Sequence, residues 1–479
     1  MKNSSGELVV VCKRECATCE MIVPVLKEME TMGVSLTVYV QDDPGFPEDV
    51  SRVIHDEQLE NSRRLGIETV PTLIRFEQGR EAGRVQGWDR AEWRILAGLK
   101  ELGRDLPESR PGCGAKNTEP GIAESLAVRF GDVALSSRRI EPGEAEDEME
   151  VCHARGWTDG LPVVPPTEVR VVRMLEGTSR DPAEVLSEIP PNNAPCTVEK
   201  AAVNAVMAGC RPEYLPVVLA AVEAACTDEF CLHGLVATTY FSGPVIITNG
   251  PVRRNLGMNS GINVFGQGCR ANATIGRALQ LIIRNVGGGI PGGVDRAVFG
   301  TPGKYTFCFA ENEEDSPWEP LSVERGFNRE ASCVSLFAGG EVQGVTDQRS
   351  RDPVSLSKTY AAGLRSVAHP KIAMAADAVL AVSPEHGRVF REAGWTKADL
   401  KDELYRLLTV PGKDLVRGAG GIAEGVPGDF ADSEVPKFRP GGLDIVFAGG
   451  PAGMFSAILG CWVASGPRGS SSVTREIRP

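Results

Sequence analysis

The first hundred residues carry apolar runs whose period changes from one segment to the next. Leu8 to Cys12 is a continuous, largely β-branched apolar run and predicts a buried strand. Between Met21 and Met32 the apolar positions fall at Ile22, Val25, Leu26 and Met29, the spacing of a helix. Val34 to Val40 alternates and predicts a second strand, and Ser51 to Leu65 has a helical pattern. Gly66 to Phe76 reads as a strand entered through Pro71. A hairpin at Gln78-Gly79-Arg80, a strand to Gly87 and a helix over Asp89–Leu102 follow. The predicted order is βαβαββα.

The pattern then breaks. Arg104 to Gly121 carries Pro107, Pro111, Gly112, Gly114, Pro120 and Gly121 with few apolar residues, which reads as a linker over 104–122. Cys113 sits in it between two glycines. A thiol on such a tether can reach Cys16 and act as a third redox partner, but the plain reading is an incidental exposed cysteine. A larger unit is expected over 123–479. Its patterns include helices at Val198–Gly209, Leu215–Cys226, Ala271–Val286, Thr359–Arg365 and Lys397–Leu408. Strands are expected at Leu235–Tyr240, Pro244–Thr248, Tyr305–Ala310 and Leu443–Ala448, with another beginning at Ser335–Phe337. Thr167 and Thr396 stand where helix N-caps are expected. Strands alternating with helices indicate an α/β class, and no internal repeat is evident.

Composition narrows the function. A chain of 479 residues is long enough for two or three domains, and 42% hydrophobic content supports packed cores. A net charge of −13 argues against nucleic acid or an anionic membrane as partner. No apolar stretch has the length of a membrane span. The opening MKNSSGELVVVC has no long apolar leader core. The 13 cysteines follow no secreted framework, so the expectation is a reducing cytoplasm with mostly free thiols.

Between the first predicted strand and helix stands Cys16-Ala17-Thr18-Cys19. Two cysteines at this spacing can form a disulfide, and the free N–H groups and dipole of a helix start favour a thiolate on the first. A thiolate is the species that attacks disulfides. Structural zinc needs four ligands, and no second C-x-x-C occurs in the chain. Two inert buried thiols are the bland alternative. C-x-x-C beside a βαβ pattern is a redox signature.

With Cys16-Ala17-Thr18-Cys19 after the first strand and Ile67-Glu68-Thr69-Val70-Pro71-Thr72 before the third, residues 5–103 resemble the thioredoxin family. The resemblance implies a dithiol–disulfide exchange activity with no cofactor beyond a redox-active Cys16–Cys19 disulfide. It implies that Cys16 is the exposed nucleophile and Cys19 the resolving thiol. It further implies that Pro71 is a cis-proline that faces the pair and helps bind a partner's extended chain. The family's Trp before the first cysteine is replaced by Glu15, and its Gly-Pro by Ala17-Thr18. Glu15 disfavours a thiolate, whereas Lys13 and Arg14 favour it.

The larger unit offers a second candidate site. Gly266-Gln267-Gly268-Cys269-Arg270-Ala271 is a G-x-G-x-x-A run at a predicted helix start. The second strand of a dinucleotide fold is missing, since Gly287-Gly288-Gly289 and Pro291 interrupt. A loop that holds an anionic group with Arg270 is the functional reading, and a plain glycine-rich turn the other. The Ala448 to Gly453 run reads as a close backbone approach. Glu311 ends a predicted strand, where α/β folds place acid–base groups. His386 ends another apolar run and is expected to join it. Cys269 and Cys308 stand beside these candidates as possible exchange partners of Cys16. Cys226, Cys231 and His233 are read as packing residues, and no metal is expected.

The stretches GWTDGLPVVPPT, CTVEKAAVNAVMAGCRPEYLPVV, RANATIGRALQLIIRNVGG and FCFAENEEDSPWEPL make residues 150–479 similar to an uncharacterised bacterial family associated with small Sec-Gly-Ser-Cys selenoproteins. This chain has no Cys-Gly-Ser-Cys. The combined expectation is a thioredoxin-like module that supplies reducing equivalents to a thiol or a bound sulfur or selenium species in the large domain. The partners expected are a disulfide-bearing protein, a small thiol or selenium substrate, or a small selenoprotein. The alternative is a non-catalytic scaffold with a degenerate thioredoxin-like domain.

Overall fold

A computed structural model describes residues 6–131, 133–143, 145–462 and 469–478, without the side chains of 461 and 462. The chain divides into two compact units, Met1–Ala134 and Leu135–Pro479. Both are mixed α/β.

In the first unit the elements are β1 (Glu7–Cys12), α1 (Ala17–Met21), α2 (Val23–Thr31), β2 (Leu36–Val40), β3 (Val53–His55), α3 (Glu60–Arg64), β4 (Thr69–Val70), β5 (Thr72–Glu77), β6 (Arg80–Gln86), β7 (Trp88–Asp89), α4 (Arg90–Ala97), β8 (Ser109–Arg110), β9 (Cys113–Gly114) and α5 (Ile122–Arg129). Five strands form one sheet in the order β3-β2-β1-β5-β6. β1 is parallel to β2 and antiparallel to β5. Its apolar run fills the centre of the sheet, with Val10, Val11 and Cys12 buried. This is a thioredoxin-like arrangement, and it places the start of α1 at the end of the central strand.

Three local expectations are corrected. The helix expected over Met21–Met32 begins earlier, at Ala17, and is broken at Ile22. Pro24 has no N–H to donate to the preceding turn, which accounts for the break. The helix expected over Ser51–Leu65 is instead β3 followed by the short α3. Asp56 makes the turn between them, its carboxylate accepting from the backbone of Asn61 at 3.1 Å and of Ser62 at 2.7 Å.

The largest correction concerns 104–122, which is no linker. β8 pairs antiparallel with β7, and β9 pairs antiparallel with β4. The Trp88 indole donates to the Pro107 carbonyl at 2.8 Å. Beyond β9, Gln41 and Asn117 form a buried amide pair. The Gln41 amide donates to Asn117 Oδ1 at 2.8 Å, Asn117 donates to the Ile67 carbonyl at 2.8 Å, and the Lys116 N–H returns to Gln41 Oε1 at 2.9 Å. The unit boundary therefore falls after Ala134 and not near residue 103.

The second unit holds two four-stranded sheets of the same build. A short hairpin, β10 (Val185–Ile189) and β11 (Ala194–Thr197), comes before the first. The first sheet takes β12 (Gly243–Asn249), β13 (Cys308–Ala310) and β14 (Cys333–Gly339), and β15 (Glu341–Thr346) leaves for the second. The second sheet takes β16 (Ala376–Val382) and, after the hairpin β17 (Thr409–Pro411) and β18 (Glu434–Pro436), β19 (Leu443–Phe447) and β20 (Phe455–Trp462). β21 (Val473–Glu476) then returns to the first sheet. The orders β13-β12-β14-β21 and β19-β16-β20-β15 match, with one parallel and two antiparallel pairings in the same places. The structure thus contains the repeat that the sequence hides, with each half giving its fourth strand to the other. One expected strand, Leu235–Tyr240, is replaced by a helix, Leu232–Ala237. Leu232, Leu235 and Val236 are buried at helical spacing, a period that a window starting at Leu235 cuts off.

The amide pair gives a stability test. Asn117→Ala leaves the buried Gln41 amide without its acceptor and should destabilise the first unit by about 1–3 kcal/mol. Urea unfolding followed by the Trp88 and Trp93 fluorescence should show the loss, while Glu101→Ala at the exposed Arg104 pair should leave the midpoint within error.

Candidate functional site

The end of β1 delivers the chain to a turn fixed by one carboxylate. Asp42, just past β2, accepts from the Arg14 and Glu15 backbone N–H groups at 2.8 and 2.9 Å. Cys16 then stands as the N-cap of α1 in an extended conformation. The resemblance implied an exposed nucleophile, but the Cys16 side of the turn is covered: the residue is 2% exposed. The segment 109–114 lies against it. The Thr18 hydroxyl donates to the Pro111 carbonyl at 2.7 Å, and Cys16 Sγ lies 3.5 Å from the Val70 carbonyl oxygen. The Val70–Pro71 bond is cis, so Pro71 follows directly on the residue that faces Cys16.

Electrostatics single out Cys16 among the thiols. It is held down to about 5 from an ordinary 9.0. The main cause is the hydrogen bond from the Cys19 thiol, opposed by burial. The Cys113 thiol and the backbone N–H groups of Cys19 and Thr18 add to the lowering. Cys19 is fully buried, and burial followed by its bond to Cys16 drives its pKa far up. Cys19 Sγ also accepts from the Lys13 N–H at 3.5 Å. Cys113 is raised as well, first by its hydrogen bond to Cys16 and then by burial. The flanking charges expected to tune the pair are engaged elsewhere. Arg14 pairs with Asp43 at 2.9 Å, and Lys13 lies 3.9 Å from Glu119. Sequence reading missed Asp42 and Thr18. It noted Cys113 but set it on a loose tether, whereas β9 fixes it beside Cys16.

In the second unit the expected shared site does not assemble as an open cavity. The loop Gly266 to Cys269 does lead into a helix, Arg270–Asn285, and Gly268 takes a positive φ of 119°. Arg270, however, turns its Nε to the Gly209 carbonyl at 2.9 Å. Cys269 donates to the Gly257 carbonyl at 3.4 Å. Cys308 is buried, and burial pushes its thiol up. Glu311 is 0% exposed and accepts from Asn249 Nδ2 at 2.7 Å, Leu321 N at 2.9 Å and Phe447 N at 3.3 Å. Burial raises its carboxyl pKa. His386 is buried too, bonded to Ser456 Oγ at 2.8 Å and to the Asp347 carbonyl at 3.0 Å. Burial lowers its pKa. The strand ends do meet, since Asn312 N donates to the Phe447 carbonyl at 2.7 Å. Glu311 is sealed inside that join, and His386 is buried against Ser456 and the Asp347 carbonyl. Cavities of about 330 and 360 Å³ open elsewhere in this unit, and Gly266, Gly268, Arg270, Glu311 and His386 line neither. Among the described residues no three His, Cys, Asp or Glu side chains gather as a metal site, and no helix is long and apolar enough to cross a membrane.

No family model and no curated protein matches this chain. Among solved structures, thioredoxin O1 from Arabidopsis thaliana in the oxidized state is 25% identical, covering 21% of this chain and 78% of its own, with a TM-score of 0.15. Thioredoxin O2 from the same plant is 22% identical over 20% of this chain and 76% of its own, with a TM-score of 0.15. StoA from Bacillus subtilis is 15% identical over 20% of this chain and 84% of its own, with a TM-score of 0.17.

The thiol cluster has a pH signature. Thiolate absorbance of the reduced protein should show a step with a midpoint near 5, absent in Cys16→Ser. Below the step Cys16 is protonated, and above it the thiolate persists. Cys19→Ala should move the midpoint up the most, and Cys113→Ala should move it up less, following the order of the two hydrogen bonds. The absence of any step near 5 in the unaltered protein would contradict the assignment.

Proposed function

We propose that the first unit is a thiol–disulfide oxidoreductase in which Cys16 is the nucleophile and Cys19 its resolving partner. The observation that carries the reading is the Cys16 environment: two thiols and two backbone N–H groups converge on one sulfur and hold it as a thiolate near pH 7. A thiolate is the species that attacks a disulfide sulfur directly. Cys16 attacks the acceptor disulfide, one acceptor sulfur leaves as thiolate, and a neighbouring thiol displaces the other. Two electrons pass from the cysteine pair to the acceptor. Glu15 stands where a bulky aromatic would cover the pair, and the 109–114 segment covers it instead.

The acceptor is a disulfide, or a selenium–sulfur bond, carried by another protein or by a small molecule. A thiol of the second unit is less suited, because Cys308 lies in a packed core and Cys269 donates into its own loop. The reading differs from a non-catalytic scaffold in one respect: a scaffold has no need of a depressed thiol.

The full chain with a dithiol reductant should reduce insulin disulfides, followed by turbidity. Cys16→Ser should abolish the activity and Pro71→Ala should weaken it. Equal turbidity rates with the unaltered chain and Cys16→Ser would sink the reading.

A further inference from the structure

Residues 109–114 are tied down at both ends. β8 pairs with β7 and β9 with β4, and between them the Pro111 carbonyl takes the Thr18 hydroxyl from inside the Cys-x-x-Cys turn. Gly112 makes the close approach possible. A Cβ there would stand 2.5 Å from both the Thr69 methyl and the Val70 oxygen, contacts that backbone cannot relieve cheaply. The ladder aligns Cys113 with Val70, whose carbonyl oxygen lies 3.5 Å from Cys16 Sγ. The Cys113 thiol acts on Cys16 in the sense of a donor that lowers its pKa, and the Ala17 N–H acts on Cys113 in the same sense. The Cys16 sulfur therefore has two thiol neighbours in unlike surroundings. Cys19 is sealed in the core, while Cys113 is partly open to water.

We propose that Cys113 is a second resolving cysteine, which closes a Cys16–Cys113 disulfide and fastens residues 109–114 over the site. The inference rests on Cys16 being the nucleophile. Cys16 thiolate attacks an acceptor disulfide R–S–S–R′; the bond to R′ breaks and R′S⁻ leaves, taking a proton from water. Cys113 gives its proton to water and its thiolate attacks Cys16 Sγ, which releases RS⁻ and leaves Cys16–Cys113 bonded. Two electrons have moved to the acceptor. Cys19 can then attack Cys16 Sγ and free Cys113 as thiolate, an exchange with no net oxidation. Two features favour Cys113 for the first resolution. Its proton has a path to solvent, and burial opposes its ionisation less than that of Cys19. Once formed, the bond would add a covalent tie to the hydrogen bonds that already hold the covering segment over Cys16, and reduction would leave only those. The oxidised state is thus closed to a second acceptor until Cys19 or an external thiol opens it.

The test uses the full-length reduced chain, oxidised glutathione as acceptor, acid quenching, alkylation and peptide mapping by mass spectrometry. The unaltered chain should yield a Cys16–Cys113 peptide at early times and a Cys16–Cys19 peptide later. Cys19→Ser should still form Cys16–Cys113 and keep less than a tenth of Cys16 as the glutathione adduct. The double variant Cys19→Ser with Cys113→Ser should hold that adduct on most of its Cys16. Gly112→Ala, which keeps all three thiols but lifts the segment, should lower the Cys16–Cys113 yield several-fold. A stable Cys16 adduct in Cys19→Ser alone, with no Cys16–Cys113 peptide, would overturn the role of Cys113 and leave the nucleophile standing. A double variant whose Cys16 takes no glutathione would overturn both.

Discussion

A thiolate on a residue that is 2% exposed has to be met by donors from the protein, because little water reaches it. Much of the first unit can be traced to that demand. The Thr18 and Cys19 N–H groups come from the start of α1, which the end of β1 and the Asp42 turn put in place. The Cys19 thiol is aimed by core packing and by the Lys13 N–H. The Cys113 thiol comes from a strand of two residues, too short to hold itself. Its position is secured further along, where the Gln41–Asn117 amide pair ties residues 115–118 to the end of β2 and to Ile67. A buried amide pair with no part in the chemistry thereby supports one of the donors that keep Cys16 ionised.

The sequence made this unit legible where periodicity and local chemistry agreed. β1, β2 and β5 follow from β-branched runs, and the cysteine pair falls at a helix start as its spacing requires. It misled where composition stood in for structure. Pro107, Pro111, Gly112 and Gly114 read as a loose linker, yet the first three suit a segment laid flat against another backbone. Gly112 leaves room for the Thr69–Val70 backbone, and Pro111 and Pro107 offer carbonyls to Thr18 and Trp88. Proline and glycine mark the lack of helix or sheet propensity, not the lack of packing. The clue to the difference was the odd cysteine between glycines, whose partner lies almost a hundred residues earlier in the chain.

In the second unit the obstacle was topological. Each half keeps three strands and exchanges its fourth, so that β15 and β21 pair with strands from the other half. Such an exchange places paired segments far apart in the chain. It also explains why Glu311 is misread as an acid–base group. A carboxylate at the end of a strand in an open sheet faces a crevice. Here the end of β13 meets the end of β19, and the Glu311 carboxylate joins Asn249, Leu321 and Phe447 across that seam. Burial pushes its pKa up while the Lys397 charge opposes the rise. The carboxylate is best described as a tie between two sheets.

Cysteine itself decides little in this chain; surroundings decide. Cys196 and Cys210 lie in the second unit's core with thiols pushed up to about 12, and Cys333 stands at about 11, in each case first through burial. Cys12 lies at the end of the same strand that leads to Cys16, and burial drives it up as well. Cys16 shares their low exposure but not their response, because what surrounds it is polar and aimed at the sulfur. The separation is self-reinforcing. Each proton held by Cys19 or Cys113 serves as a donor to Cys16, so lowering one thiol raises the other two, and the cluster carries one negative charge among three sulfurs. A cluster of that kind cannot be tuned one residue at a time. Removing Cys19 or Cys113 takes a donor from Cys16 and raises its pKa, so the covering strand bears on the ionisation of Cys16 as the Cys-x-x-Cys turn does.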